Sequence, residues 1–188
     1  MLFYTFKTIL TSKNNLKNTV MSFGDAIKSV FSKYATFSGR ARRSEYWYFV
    51  LFTFLVGIVV SFIPFLNAIW PLVILLPSLA VSVRRLHDIG KSGWNILWLL
   101  LPNLLYIGYI VYFLFAIIVP TFGWDLADID AGTITKMLLE YKASLFIMAA
   151  LELFNFIMLI VWIVWMCKDS EPNENKWGPN PKIAQPEF

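Results

Sequence analysis

Apolar residues dominate the chain from Glu45 onward and fall into four stretches, each close to the length of a membrane span. The stretches cover residues 46–63, 65–83, 94–119 and 145–167. A helix needs roughly 20 apolar residues to cross about 30 Å of hydrocarbon at about 1.5 Å per residue. The pattern therefore predicts an all-α integral membrane bundle of four transmembrane helices, with one membrane domain over residues 21–181.

Proline residues mark breaks and bends within these stretches. Pro64 and Asn67 separate the first two stretches, which favours a tight helical hairpin over one long helix. Pro71 and Pro77 lie inside the second stretch, where each proline removes a helical hydrogen bond and frees a carbonyl that a neighbouring helix can satisfy. The third stretch is long enough to tilt and carries Pro102 near its start.

A short amphipathic pattern precedes the first span. Apolar residues recur at helical spacing from Phe23 to Tyr34, with polar residues on the opposite face. Ser22 followed by Asp25 is typical of a helix start. We predict that this N-terminal amphipathic helix is interfacial and lies flat in the inner membrane interface; packing against the mouth of the bundle is the alternative.

The residues at the two ends show no comparable pattern. We expect residues 1–20 to be a poorly ordered extension, with Met21 as the natural start because it directly precedes the helix cap. Residues 182–188 are expected to form a short tail. The first residues lack the pattern of a secretory signal, so we expect the spans themselves to direct insertion.

The Lys and Arg residues predict the orientation of the spans. Most of them lie before the first span, between the second and third spans, or in the tail, whereas the loop before the fourth span holds only Lys136 and Lys142 among several acidic residues. Cytoplasmic flanks carry the excess of Lys and Arg. We therefore expect a multi-pass protein with both termini in the cytoplasm.

Composition narrows the classes of function. Mean hydropathy is +0.63 and 15% of the residues are charged, whereas soluble domains have about a quarter charged residues. The net charge is +4, and the basic residues lie beside the apolar spans. This position favours anionic lipid head groups over nucleic acid as the counter-charge. The single cysteine, Cys167, excludes an internal disulfide and suits a packing or lipid-facing thiol.

Five arginines form the first candidate site. Arg40, Arg42 and Arg43 precede the first span, and Arg84 and Arg85 end the second, so a hairpin brings all five to one membrane face. Guanidinium groups bind phosphate through paired hydrogen bonds, which makes this set a candidate contact for anionic lipid or another anionic ligand. The alternative is a topological signal combined with ion pairing.

Three other ionisable residues share this face. Glu45, His87 and Asp88 are candidates for a structural or switch role, since they lie beside the arginines. His87 is the only histidine, and the sequence fixes no serine or cysteine partner for it, which disfavours catalysis. We expect neither enzyme activity nor a cofactor.

Glu152 and Asn155 form the second candidate site, three residues apart in the fourth span. An ionisable residue within a span is a functional candidate. Three interpretations stay open: a wetted carboxylate at the outer interface, a hydrogen bond between helices, or the handling of an ion or proton. In the outer loop, Asp125, Asp128 and Asp130 do not have the spacing of a calcium-binding loop, so no metal site is predicted.

Three sequence strings resemble a known family. They are Phe37-Ser-Gly-Arg-Ala-Arg-Arg-Ser-Glu-Tyr-Trp-Tyr-Phe, Arg84-Arg-Leu-His-Asp-Ile-Gly-Lys-Ser-Gly-Trp and Asn175-Lys-Trp-Gly-Pro-Asn-Pro. In this order, with spans between them, they are similar to the bacterial inner-membrane proteins of the YhaH/YhaI type, the domain of unknown function 805 family. The resemblance covers about residues 21–181. It implies a small bacterial inner-membrane protein, with no established activity to transfer.

These features lead to one preferred function and one alternative. The preferred function is a non-enzymatic membrane interaction or lipid-associating protein with an arginine-rich cytoplasmic face, in contact with membrane lipids through anionic head groups. The alternative is a small transporter or channel component that uses Glu152 and Asn155. A homo-oligomer or a membrane-protein partner is compatible with either function.

Overall fold

The computed structural model describes residues 21–121 and 130–183, and the regular elements in this part of the chain are helical. The five α-helices are α1 (Phe23–Ser32), α2 (Arg43–Ser61), α3 (Pro64–Asp88), α4 (Leu97–Thr121) and α5 (Ala131–Cys167). A one-turn 3-10 helix, Gly93–Ile96, leads into α4. The expected extension over residues 1–20 and the final five residues of the expected tail lie outside the described residues.

Four helical segments are long and apolar enough to cross a membrane. They are Arg43–Ser61, Pro64–Asp88, Gly93–Ala116 and Tyr141–Cys167. At most 17% of the residues in the apolar window of each segment are buried inside the protein, so their side chains present an apolar surface of the kind that lipid requires. The prediction of an all-α protein with four transmembrane helices is confirmed.

Helix α5 is longer than a single span. Its 37 residues correspond to about 55 Å at about 1.5 Å per residue, compared with about 30 Å of hydrocarbon. The apolar part begins at Tyr141, so the ten residues that precede it extend the helix beyond the predicted span.

The chain divides into two compact units, which are described separately. The first unit contains α1, α2, α3, the last turn of α5 and the tail, and the second unit contains residues 96–163 with α4 and most of α5. The arginine-rich strings all fall in the first unit, and Glu152 and Asn155 fall in the second.

In the first unit, α1 packs against α2 through its apolar face. Ala26 and Val30 are fully buried. The Phe31 ring meets the edges of Phe49 and Phe52 at centroid distances of 5.7 and 5.8 Å, a geometry that aromatic pairs prefer. These contacts pack α1 against α2, and its position in the membrane interface stays a prediction.

Two prolines of α3, Pro64 and Pro77, are accommodated in different ways. Two residues separate the helices, and Pro64 occupies the start of α3, where its missing N–H costs nothing. Further along, Pro77 cannot donate to the carbonyl of Val73, four residues earlier. The Tyr34 hydroxyl, just after α1, donates to that carbonyl instead. The predicted free carbonyl is therefore satisfied from outside its own helix.

In the second unit, polar contacts join α4 to α5. The Tyr141 hydroxyl donates to the carbonyl of Ala116 at 3.0 Å, and its ring meets the edge of Phe113 at a centroid distance of 5.7 Å. The Asn155 amide lies 3.5 Å from the carbonyl of Pro102. These polar contacts contribute to the pairing of α4 with α5.

Candidate functional site

Three helix ends meet at one face of the first unit. Arg40, just before α2, forms an ion pair with Asp88 at the end of α3, with 3.1 Å between Nε and Oδ1. Arg85, near the end of α3, donates to the carbonyl of Met166 in the last turn of α5 at 3.2 Å. The chain segments that precede α2 and follow α5 therefore lie on the same side of this unit.

Asp88 is the counter-charge for two buried arginines. Besides Arg40, its carboxylate accepts from Arg85 and from the hydroxyl of Ser170 in the tail. The side chains of Asp88, Arg40 and Arg85 are at most 1% exposed. Buried charges are tolerated when they are paired and hydrogen-bonded. We refer to Arg40, Arg84, Arg85, Glu45 and Asp88 as the buried ionic network.

Arg40 organises the tail through backbone carbonyls. Its Nη1 donates to Asn173 at 2.8 Å and to Gly178 at 3.2 Å, and its Nη2 donates to Glu171 at 2.7 Å. A guanidinium carries five N–H donors in a rigid fork, which allows one side chain to bind several acceptors. The tail segment 171–178 is consequently folded around this one arginine.

Arg85 closes the end of α5. Its Nε and Nη2 both lie 3.2 Å from the carbonyl of Met166, and Nη2 also donates to the carbonyl of Lys168. The last carbonyls of a helix have no partner within the helix, and a cation there interacts favourably with the helix dipole. Arg85 therefore donates hydrogen bonds both to these carbonyls and to the Asp88 carboxylate.

Arg84 and Glu45 connect the first three helices. The Arg84 guanidinium lies 3.3 Å from the Glu45 carboxylate, which also accepts from the Ser29 hydroxyl of α1 at 3.1 Å. The side chains of Arg84 and Glu45 are 1% and 4% exposed. The pair thus bridges α2 and α3 and is buried next to α1.

His87 is packed against the tail. Its ring stacks on Trp177 with centroids 4.5 Å apart and planes 9° from parallel, and its Nδ1 lies 3.1 Å from the carbonyl of Gly39. A carbonyl only accepts, so Nδ1 carries the proton. Asn175 donates to the His87 carbonyl at 3.0 Å. These contacts hold His87 between Gly39 and the tail, and the structural or switch role expected for it stays a prediction.

The tail string forms a compact turn. Asn175 and Gly178 exchange backbone hydrogen bonds of 3.2 and 2.9 Å, and Gly178 has a φ of +126°, which favours glycine. The Asn180 amide donates to the carbonyl of Pro172 at 3.1 Å. Sequence reasoning identified this string only by resemblance and assigned it no contact. The Asn-x-x-Gly pattern predicts a turn, but nothing local indicates that the turn covers His87.

The five arginines separate into two groups. Arg40, Arg84 and Arg85 are buried, so ion pairing, the alternative interpretation of the cluster, describes these three. The Arg43 side chain is 56% exposed and lies 3.9 Å from Asp169, and Arg42 donates to the carbonyl of Pro181. Lipid contact through Arg42 and Arg43 stays a prediction.

Asp169 links the end of α5 to the tail at the surface. Its carboxylate accepts from Lys182, and this hydrogen bond, assisted by the charge of Lys182, lowers the pKa of Asp169 below its usual value. A carboxylate whose pKa falls on folding stabilises the fold above its unfolded pKa, and that contribution is lost as the pH falls towards the folded pKa. The contribution is small here because Asp169 is exposed.

The structure does not bring Glu152 and Asn155 together. Glu152 is exposed and has no hydrogen bond or ion pair with another described residue. Asn155 is 9% exposed, and its carbonyl oxygen has no donor within the described part of the chain. The transporter alternative that uses both residues stays a prediction. Within residues 21–121 and 130–183, no three His, Cys, Asp or Glu side chains cluster as metal ligands.

Comparison with known proteins identifies the family. Residues 34–179, which include the whole buried ionic network, match a family described as protein of unknown function (DUF805). The chain is 41% identical over 95 residues to the inner membrane protein YhaI of Escherichia coli K12, covering 46% of this chain and 78% of YhaI. It is 28% identical over 166 residues to the inner membrane protein YhaH of the same strain, covering 82% of this chain and 93% of YhaH. No solved structure matches. With its four apolar helices, the chain is a multi-pass inner-membrane protein that belongs to the DUF805 family.

Proposed function

We propose that this protein is a non-enzymatic membrane protein that associates with anionic lipid at its cytoplasmic face. The observation that supports this proposal is the separation of buried from exposed basic side chains. In the buried ionic network, each of the three arginines forms an ion pair with a carboxylate, and Arg40 and Arg85 share Asp88. Exposed basic residues surround the same helix ends: Lys28, Lys33, Arg43, Lys168 and Lys176.

The two groups of basic residues have different physical roles. The carboxylate next to a buried guanidinium neutralises most of its charge, so the guanidinium attracts a lipid head group only weakly. An exposed Lys or Arg near an anionic membrane surface contributes about 1 kcal/mol to attraction. Arg43 begins α2 and Lys168 follows the end of α5, so both lie where spans end and head groups begin. We propose that these two residues contribute directly to lipid association.

The proposal requires the tail and the segment before α2 to be cytoplasmic. Reporter tags placed at Ser12 and after Phe188 should give a cytoplasmic signal, and a tag at Gly132 should give an outer signal, because cytoplasmic flanks carry the excess of Lys and Arg. Paired reporters that are active on opposite sides of the membrane measure this. A cytoplasmic signal at Gly132 would contradict both the topology and the proposed face.

Replacing Arg43 and Lys168 together with Gln should reduce retention of anionic lipid by about thirtyfold, since two surface charges of about 1 kcal/mol each are removed. The measurement is native mass spectrometry of protein released from nanodiscs that contain equal amounts of phosphatidylglycerol and phosphatidylcholine.

The matched control replaces Lys136 and Lys142, which are exposed on α5 in the second unit, with Gln. This control removes the same charge and should leave retention within twofold of the wild type. Equal loss in both double variants would show a general charge effect. A wild-type protein that retains phosphatidylglycerol no better than phosphatidylcholine would rule out the proposed function.

A further inference from the structure

Two polar side chains are exposed on the apolar helices of the second unit. They are Asn103 of α4 and Glu152 of α5. Each lies at least ten residues from either end of its apolar segment, a distance of about 15 Å at about 1.5 Å per residue. Both are therefore close to the middle of about 30 Å of hydrocarbon, where there is no water to satisfy a polar group.

Neither side chain is fully hydrogen-bonded within the described part of the chain. Glu152 forms no hydrogen bond or ion pair there. The Asn103 amide donates once, to the carbonyl of Leu99 in its own helix at 2.7 Å. An amide has two N–H donors and an acceptor oxygen, so Asn103 can make further hydrogen bonds. Because an unsatisfied polar group is costly in hydrocarbon, we expect a partner to cover both side chains.

The contact between α4 and α5 places the two side chains at nearly the same depth. The Asn155 amide lies 3.5 Å from the carbonyl of Pro102, and the two hydrogen bonds between these helices show that they run in opposite directions. Asn103 follows Pro102 by one residue. Glu152 precedes Asn155 by three residues. Both steps lead towards the same end of the unit, and their lengths of about 1.5 and 4.5 Å differ by only about 3 Å.

The two side chains also share one side of the helix pair. Successive residues turn by about 100° around a helix, so Asn103 is about 100° from Pro102, and Glu152 is about 60° from Asn155. Because the helices run in opposite directions, these rotations have opposite senses and bring both side chains to the same side. We call this side the α4–α5 face, and its other exposed members are Ile107, Leu114, Leu145 and Phe156.

We infer that the α4–α5 face binds the same face of a second copy of this protein, with Glu152 of each copy accepting from the Asn103 amide of the other. A two-fold axis along the membrane normal keeps each residue at its depth and pairs Glu152 with Asn103 twice. A face that carries an acceptor and a donor at one depth is complementary to itself, which favours a second copy over an unrelated membrane protein. The apolar members supply the packing contacts between helices. This inference does not depend on the proposed lipid association.

Self-association is measured by energy transfer in phosphatidylcholine liposomes, between full-length copies that carry a donor or an acceptor fluorescent protein after Phe188. Dilution of the protein with lipid gives the dissociation constant. Glu152→Leu and Asn103→Leu should each associate about tenfold more weakly than the wild type, because each substitution removes both hydrogen bonds between two copies. A wild-type protein without energy transfer above that of non-interacting proteins would refute the inference.

A mixture of the two variants is the decisive measurement. A Glu152→Leu copy still has Asn103, and an Asn103→Leu copy still has Glu152, so a mixed pair retains one of the two hydrogen bonds. The mixed pair should associate about threefold more tightly than either variant with itself. Misfolding of one variant would not be rescued by the other. A mixed pair that is no tighter than the separate variants overturns the inference.

Two further variants are the controls. Asn67→Leu makes the same change as Asn103→Leu at an exposed position of α3 in the first unit, and it should associate within about twofold of the wild type. Glu152→Gln keeps an acceptor oxygen and should associate within about threefold of the wild type. An equal loss for Asn67→Leu and Asn103→Leu would show that the α4–α5 face is not the interface.

Discussion

Replacing Asp88 with Asn is expected to destabilise the protein by about 3–5 kcal/mol, the cost of leaving buried charges without their partner. Arg40 and Arg85 would both lose the carboxylate that faces them, and neither side chain is more than 1% exposed to water. Asn also offers one acceptor oxygen where the carboxylate offers two. Denaturation in mixed micelles measures the change in the free energy of unfolding.

The loss of structure caused by Asp88→Asn should begin in the tail. Arg40 is the group that binds the carbonyls of Glu171, Asn173 and Gly178, so a change in its position releases that segment first. Limited proteolysis should therefore cut Asp88→Asn in the tail under conditions that leave the wild type intact. A variant that is as resistant as the wild type would show that Arg40 holds the tail without its counter-charge.

Asp169→Asn is the control for Asp88→Asn. It makes the same chemical change in a side chain that is 66% exposed, with ion pairs to Arg43 and Lys182. Exposed ion pairs contribute little to stability because water and salt screen them. We expect no measurable change in unfolding or proteolysis. A comparable loss in both variants would mean that burial does not distinguish the two carboxylates.

The helices could be predicted from the sequence because span length and apolar character are local properties. Pro64 marked the hairpin correctly, and Pro77 correctly predicted a carbonyl in need of a donor. The donor itself, Tyr34, lies 39 residues from Val73. A proline rule identifies the acceptor that is freed, but it contains no information about which distant side chain reaches it.

The roles of the arginines could not be predicted in the same way. Arg40 and Arg43 are three residues apart in one basic string, yet Arg40 is buried and Arg43 is exposed. The difference depends on the tail, because the contact from Arg40 to Asn173 spans 133 positions. Charge patterns assign a residue to one side of a membrane. They do not show whether a carboxylate or a lipid is its partner.

Helical spacing was also not sufficient to predict the directions of the two side chains in the second candidate site. Residues three apart on a helix are about 60° apart in direction. This angle is enough to turn Asn155 towards Pro102 of α4 while Glu152 is exposed. Spacing along a helix therefore does not show whether two residues three apart face the same neighbour, and the prediction of a shared polar site relied on spacing alone.

Gly90→Ala is expected to destabilise the protein by about 2–3 kcal/mol, from two separate costs. Gly90 has a φ of +77°, a left-handed conformation that costs other residues about 1–2 kcal/mol. A Cβ atom at Gly90 would also overlap the Glu171 carboxylate. Moving that carboxylate disrupts its hydrogen bond from Asn175, 2.7 Å in length, at a further cost of about 1 kcal/mol.

Two other glycines separate these costs. Gly39 has a φ of +85° with open space at its Cβ position, so Gly39→Ala should lose only the backbone part, about 1–2 kcal/mol. Gly24 has open space and no positive φ, and it lies in the first turn of α1. Gly24→Ala should be neutral or stabilising by up to about 1 kcal/mol. The order of midpoints in mixed-micelle denaturation tests this series. If Gly90→Ala and Gly39→Ala lose the same amount, displacing the Glu171 carboxylate has no cost, and its hydrogen bond from Asn175 does not contribute to the stability of the tail.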